Sequence, residues 1–227
     1  MNNSEELNKK LQSFWNEMFT KKQNNTIKLN EIKERTILDS YLKRLGRDAS
    51  QIIDFGTGSG YALFVAKALG KNMQYGLGID TSPHAIQLAQ QFCEDEKIDD
   101  LEFICHDHTY LKRIPSNSFD GAICSNVLDV LPPDTTAIII QELNRILKHN
   151  GKLLIKLNFY LTNELIEKLK MDLLGKNMYA INGVLRGVNY TTETWLSMFP
   201  NYKLIALDEY ERLKEGPKDR IIYLQKA

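Results

Sequence analysis

The sequence predicts an α/β fold: an open, doubly wound sheet of seven strands, mostly parallel, with helices on both faces. N-terminal helices precede the sheet and an antiparallel hairpin ends it. Three observations carry this prediction. From residue 51 onward, short apolar runs alternate with helix-length amphipathic segments, the pattern of parallel strands joined by right-handed crossovers. The runs are almost continuously apolar, as strands covered on both faces are. A glycine-rich turn, GTGSG at 56–60, joins the first run to the helix behind it.

The elements follow in order. Residues 5–22 read as a helix, because Leu7, Leu11, Phe14, Trp15 and Met18 recur at spacings of three and four. A second helix is expected over 28–45, with Ile37, Leu38, Tyr41, Leu42 and Leu45 inward and Gly46 as its stop. QIIDF is the first strand. Ala62, Val65, Ala66 and Leu69 share one face of the next helix, which Gly70 ends. MQYGLGID is the second strand. Ser82 caps the following helix with Pro83 in its first turn, and Ala85, Leu88, Ala89 and Phe92 form its inner stripe.

LEFIC and FDGAICS are strands three and four. Asp134 opens a helix with Ile139, Leu143 and Ile146 inward, Asn150-Gly151 stops it, and KLLIKLNF is strand five. The tail breaks the alternation. YKLIALDEYERL and DRIIYLQKA read as two strands joined tightly at EGP, a pair better suited to antiparallel pairing. The stretch between strand five and this hairpin far exceeds the roughly four to six residues of an ordinary connection. Helices are expected in it at 162–174 and 192–199. Residues 1–47 are thus expected to form a helical cap on the same domain as 48–227.

Composition narrows the function classes. A chain of 227 residues suits one domain with an added helical element. Lys+Arg and Asp+Glu are both 29, so there is no net basic field to attract nucleic acid. The pairs Lys9-Lys10 and Lys21-Lys22 sit among Glu5, Glu6 and Glu17 and read as solvated surface. Cys93, Cys105 and Cys124 have no metal-ligand spacing, so no metal is expected. Their odd number without a disulfide framework suits a reducing compartment, and a cytoplasmic location is expected. The polar N-terminus lacks a signal-peptide core, and no apolar run approaches the roughly 20 residues of a membrane helix.

The main chemical signal is IIDFGTGSGYAL. Gly56, Gly58 and Gly60 allow positive φ and close approach of a ligand to the backbone, and a helix N-terminus stands behind them. The spacing is G-x-G-x-G. The dinucleotide fingerprint G-x-G-x-x-G would need glycine or alanine where Tyr61 stands. Asp54, two residues before the first glycine, would repel a pyrophosphate and welcome a ligand with an ammonium group. Asp80 ends the second strand, where an acid accepts hydrogen bonds from ribose hydroxyls. Asp80 therefore points to an adenosine without choosing between a nicotinamide cofactor and S-adenosylmethionine.

Four stretches in order resemble the class I S-adenosylmethionine-dependent methyltransferases, which share a Rossmann-like fold. The likeness is greatest to the broad group that includes the quinone-biosynthesis enzymes. The D-x-G-x-G-x-G loop from Asp54, LGIDTSPHAIQLAQ, FICHDHTYLKRIPSNSFDGAICSNVLDVLP and ELNRILKHNGKLLIKL match that family's motifs between Gln51 and Phe159. The resemblance implies S-adenosylmethionine as cofactor. Asp54 would lie near the methionyl amino group, lined by Gly56, Gly58 and Gly60. Asp80 would hold the ribose with Thr81 beside it, and Asp107 would accept from the adenine amino group next to the backbone of His108. Ser125 and Asn126 would lie by the sulfonium.

The chain departs from the family in three ways. His106 replaces a common glycine, Asp129 replaces a common histidine, and no N/D-P-P-Y motif follows strand four, which argues against amino methylation of DNA bases.

Methyl transfer from a sulfonium is an in-line displacement. It needs alignment and exclusion of water, and a base only when the nucleophile must lose a proton. Asp129 and His108, with His106, are the candidate bases. His84 and His149 sit near helix ends, and a helix dipole explains His149. Substrate contact is expected from Phe14, Trp15 and neighbouring Phe19 on the first helix. After strand five, Tyr160, Tyr179, Arg186 and Tyr190 are the candidates, with Asn182 among them. A small-molecule acceptor is the leading expectation. RNA or protein methylation, an inactive cofactor-binding protein and a nicotinamide-dependent oxidoreductase remain as alternatives.

Overall fold

The computed structural model describes residues 3–21, 28–211 and 216–227. Lys22 and residues 212–215, which take in the end of the first expected tail strand and Glu215 of the EGP segment, lie outside the described residues.

Five apolar runs form the parallel strands β1 (Gln51–Phe55), β2 (Tyr75–Asp80), β3 (Leu101–Cys105), β4 (Phe119–Ser125) and β5 (Leu147–Leu157). With β9 (Tyr202–Glu211) and β10 (Lys218–Lys226) they make a seven-stranded sheet in the order β3-β2-β1-β4-β5-β10-β9. β10 pairs antiparallel with both neighbours, as the composition of the tail predicts. The chain moves outward from β1 through β3, then returns to place β4 on the other side of β1. This reversal at the C-terminal ends of β1 and β4 opens the crevice where such sheets bind ligands. Alternate residues feed two cores: Ile53, Cys124 and Ile155 on one face, Ile52, Ile123 and Leu154 on the other. Both faces are covered, which is why the strands read as unbroken apolar runs.

The helices are α1 (Asn3–Thr20), α2 (Ile37–Asp48), α3 (Tyr61–Gly70), α4 (Pro83–Glu96) and α5 (Pro133–Ile146). Ser82 caps α4, its hydroxyl accepting from Ala85 N at 3.2 Å, a contact worth about 1 kcal/mol. Two sequence expectations are corrected here. The second helix does not begin at 28. It starts after Thr36, whose side chain accepts from Asp39 N while Asp39 accepts from Thr36 N. This capping box fixes the start, and 29–31 forms only a short 3-10 turn. Nor does Gly46 stop the helix. It lies inside α2, where a Cβ would stand 2.1 Å from the Ala66 carbonyl oxygen of α3. Gly46 is there so that two helix backbones can touch.

Asn150-Gly151 does not end α5 either. The helix stops at Ile146, and β5 starts at Leu147. Asn150, with φ of 64°, lies within the strand, where the pairing of β5 with β4 slips register between Phe119 and Gly121.

The segment after β5 departs most from expectation. The helix predicted at 162–174 is only α6 (Asn163–Lys168), and that at 192–199 is α7 (Thr192–Ser197). Between them β6 (Asp172–Gly175), β7 (Met178–Ile181) and β8 (Val184–Val188) form an antiparallel three-stranded sheet. Asn177, Asn182 and Gly183 take positive φ in its two turns, and Asn-Gly is the strongest short hairpin signal a sequence carries. α1 lies across α4 and β8, and α2 packs on α3. Among the described residues, no helix is long and apolar enough to cross a membrane.

Candidate active site

A cavity of about 1020 Å³ opens beyond the C-terminal ends of β1 to β5. Small-molecule pockets span roughly 300–1,000 Å³, so this one is at the large end of that range. Its floor is the strand ends, and α1 and β8 form its outer wall.

The turn after β1 is shaped by its glycines. The amides of Gly56 and Thr57 both donate to Ile79 O, at 2.8 and 3.1 Å, pinning the turn to β2. Gly56 has φ of 75°, and a Cβ there would lie 2.1 Å from Val127 Cγ2. At Gly58, with φ of 55°, a Cβ would lie 2.9 Å from Phe19 Cζ. The loop can therefore pass under α1 only without side chains. Asp54 lies beneath it, 1% exposed, with Oδ1 unpartnered among the described residues. Burial pushes its pKa up to about 7, opposed by the Thr57 hydroxyl and assisted by the charge of Asp80.

Asp80 stands on the cavity wall. Oδ2 accepts from Gly58 N at 2.8 Å and Oδ1 from Ser82 N at 2.9 Å. Each oxygen keeps a lone pair for a further donor. Burial raises its pKa, and the backbone donors from Ser82, Gly58 and Thr81 oppose that rise. Asp107 caps the 3-10 turn 108–113. It accepts from Thr109 N at 2.9 Å, Thr109 Oγ1 at 2.5 Å and His106 Nδ1 at 3.1 Å, all on Oδ1. Partial burial pushes its pKa up, but the two Thr109 bonds and the histidines hold it below the usual range.

Three polar residues of α1 at spacings of four hold the helix over the mouth. Asn8 Nδ2 donates to Thr135 Oγ1 at 3.0 Å, and Gln12 Nε2 to Thr81 O at 2.9 Å. Asn16 Oδ1 accepts from Ser82 Oγ at 2.9 Å. Sequence reasoning missed this stripe because it followed only the apolar one, although the four-residue period was there to be read.

The end of β4 joins a second polar network, also missed. Asn126, with φ of 56°, donates from its amide to Lys156 O at 2.8 Å and from Nδ2 to Asn158 Oδ1 at 2.7 Å. Lys156 Nζ bonds Asn126 Oδ1 and pairs with Asp219 at 2.7 Å. Asp129 Oδ2 accepts from Asn158 N and Nδ2, at 2.7 and 2.9 Å, while Oδ1 is buried without a hydrogen bond among the described residues. Arg220 donates to the carbonyls of Asn158 and Tyr190. Asp129 is 3% exposed. Burial raises its pKa against the bonds from Asn158 and the charge of Arg220.

Among the sequence candidates, Gly56, Gly58, Asp80, Thr81, Asp107, His108, Ser125, Asn126, Asp129, Trp15, Phe19 and Arg186 share the cavity wall. Asp54 and Gly60 lie behind it: Gly60 caps α3 against Phe64 and Phe103. Phe14 is not on the cavity wall; it stands edge-on to Trp15 and under the Arg186 guanidinium, which is on the wall, at 4.5 Å. Tyr160 is 46% exposed and Tyr179 sits within β7, neither on the wall. Tyr190 lines a separate apolar pocket of about 420 Å³ with Trp195 and Tyr202. Asn182 is in the β7–β8 turn. His84 is held by its amide near Asn16, and His149 bonds Asn150. Among the described residues no group of His, Cys, Asp and Glu could hold a metal ion.

A family model described as a methyltransferase domain matches residues 47–199. The fold is shared with the 1,6-didemethyltoxoflavin-N1-methyltransferase of Burkholderia thailandensis, solved with 1,6-didemethyltoxoflavin and S-adenosylhomocysteine. That likeness has a TM-score of 0.73 at 16% identity and covers 100% of this chain and 92% of that one. A SAM-dependent methyltransferase from Methanosarcina mazei gives 0.64 at 21% identity, over 86% and 99%. A Haloferax volcanii complex of a methyltransferase with its activator gives 0.61 at 19%, over 83% and 86%. Comparison with curated proteins finds no significant match.

Proposed function

The chain belongs to the methyltransferase-domain family and is an S-adenosylmethionine-dependent methyltransferase, and we propose that its acceptor is a small molecule bound between α1 and β8. The observation that carries this reading is one continuous cavity. It has Asp80 at one end and a half-buried wall of α1 and β8 at the other, in a chain with zero net charge.

In this assignment Asp80 accepts both ribose hydroxyls with the lone pairs its backbone donors leave. Asp107 accepts the adenine amino group on Oδ2, beside the backbone of His108, and Thr81 keeps its carbonyl on Gln12. The glycine backbone at 56–60 would receive the methionyl end, and buried Asp54 would supply negative potential to its ammonium. The cofactor supplies a methyl group already activated by a sulfonium. Ser125 and Asn126, the latter fixed by Lys156 and Asn158, would lie beside that group. Trp15, Phe19 and the rest of α1 exclude water, and holding the acceptor in line contributes roughly 7–11 kcal/mol. Asp129 acts through Asn158 and Arg220 as a positioning residue, because one of its oxygens is committed and the other buried. Three unpaired thiols fit a reducing compartment, and the cytoplasm is the proposed location.

The test is a methyl-label experiment. The chain and isotopically labelled S-adenosylmethionine are incubated with separated low-molecular-mass, RNA and protein fractions of a cell extract. Label in the low-molecular-mass fraction is the expected result. Label confined to RNA or protein would overturn the small-molecule reading.

A further inference from the structure

Among the described residues, the outer wall of the cavity carries one cation that its surroundings leave uncommitted. Arg186, in the middle of β8, has its guanidinium carbon 4.5 Å from the Phe14 ring centroid and 5.9 Å from that of Trp15. Leu185 and Val188 beside it are 1% and 2% exposed and pack with Leu11 of α1. Arg186 is half-buried, and it makes no hydrogen bond or ion pair among the described residues. Burial lowers its pKa.

Every other Asp, Glu, Lys and Arg among the described residues on that wall is engaged. Glu5 pairs with Lys9 at 3.2 Å. Asp80, Asp107 and Asp129 accept the bonds described above. Arg220 spends all three of its guanidinium nitrogens on backbone carbonyls. A guanidinium taken partly out of water, with a flat aromatic seat and all its donors open, is short of an anionic partner. Its fork geometry matches a carboxylate, with two parallel N–H···O bonds.

We infer that the acceptor of this methyltransferase carries a carboxylate, and that Arg186 binds it through two guanidinium nitrogens. The inference rests on the reading of the cavity as a methyl-transfer site for a small molecule. Arg186 then sets which acceptors enter, and the aromatic pair Phe14 and Trp15 holds its plane.

The test uses the full chain saturated with S-adenosylhomocysteine, titrated calorimetrically with matched pairs of aromatic acids and their primary amides, such as 4-hydroxybenzoate against 4-hydroxybenzamide. Wild type is expected to prefer acids by about tenfold or more. Arg186→Met, which keeps the apolar stem on Phe14, is expected to erase the preference, and Arg186→Lys to retain part of it. Affinity for S-adenosylhomocysteine is expected to stay within about twofold in both variants.

Three results would overturn the inference. One is the absence of any acid preference in wild type, including no binding by any acid. Another is a preference that survives in Arg186→Met. The third is a tenfold or greater loss of S-adenosylhomocysteine affinity in Arg186→Met, which would give Arg186 to the cofactor carboxylate. Failure of wild type to bind S-adenosylhomocysteine at all would instead strike the underlying reading, and the inference with it.

Discussion

Asp54→Asn should change the pH dependence of stability more than stability itself. The Asp54 carboxyl is buried, and its pKa is raised to about 7 in the folded chain without ligand. In the unfolded chain it titrates near 3.9. The unfolded state therefore loses its proton first, and between about pH 4 and 7 the folded state binds more protons. Stability from this group is complete below pH 4 and is lost as pH rises through 7, at about 1.4 kcal/mol per unit. The full swing is of order 4 kcal/mol. Asparagine cannot ionise, so it removes the slope, at a cost of roughly 1–3 kcal/mol for a buried amide hydrogen left without a partner.

The stability of the variant relative to wild type should thus rise by roughly 3 kcal/mol between pH 5 and pH 8. Urea unfolding of both proteins at pH 5, 6, 7 and 8, without cofactor, measures the difference. Two curves that stay parallel across that range would refute the argument, because Asp54 would then ionise as an ordinary exposed carboxyl does.

Further predictions follow from the packing and the polar network. Gly46→Ala drives a methyl to 2.1 Å from the Ala66 carbonyl oxygen. The helix pair must separate, so chemical denaturation should show a loss of about 1–3 kcal/mol or more. Lys156→Met breaks the buried ion pair with Asp219, and should destabilise the chain by up to about 3–5 kcal/mol in urea unfolding. Lys156→Met with Asp219→Leu should recover most of that loss. A double variant no better than the single one would mean that the pair is needed for more than charge balance. Gly58→Ala meets Phe19 and a φ of 55° at once, so calorimetry should show weakened S-adenosylhomocysteine binding with a smaller change in melting temperature.

What the sequence could reveal depended on how local the determining interaction is. β1, its glycine turn and α3 were legible because two-sided burial writes an unbroken apolar run and the turn demands glycine at fixed places. Ser82-Pro83 marked α4 within two residues for a similar reason. The early start given to α2 passed over Thr36 and Asp39, although their reciprocal cap was a local signal. Gly46 looked like a helix stop because contact with α3 is invisible in one dimension.

Part of the three-stranded sheet was read as helix, within 162–174, because the stretch was too long for a plain loop and helices were expected to fill it. Yet Leu169 and Leu173 are exposed, and Asn182-Gly183 was the better guide. The network below Asn126 had no sequence signature at all. Lys156 and Asn158 meet Asp219 and Arg220 only because β5 and β10 pair antiparallel in one register, with Ile221 opposite Lys156. Asp80 could be singled out from its place at a strand end, whereas the Arg186 guanidinium, without a hydrogen bond or ion pair among the described residues, stood out only once its neighbours were known.

The central claim is that Asp80 holds the adenosine of S-adenosylmethionine at the end of β2. It is tested most directly by calorimetric titration of the folded chain with S-adenosylhomocysteine and, in parallel, with NADH. Losing two hydrogen bonds to a charged acceptor, at roughly 1.5–3 kcal/mol each, should weaken S-adenosylhomocysteine binding in Asp80→Ala by about a hundredfold or more. One-to-one binding of S-adenosylhomocysteine, none of NADH, and that loss in a variant whose circular dichroism is unchanged are the predicted results. Binding of NADH in its place, or equal S-adenosylhomocysteine affinity in wild type and Asp80→Ala, would contradict the account.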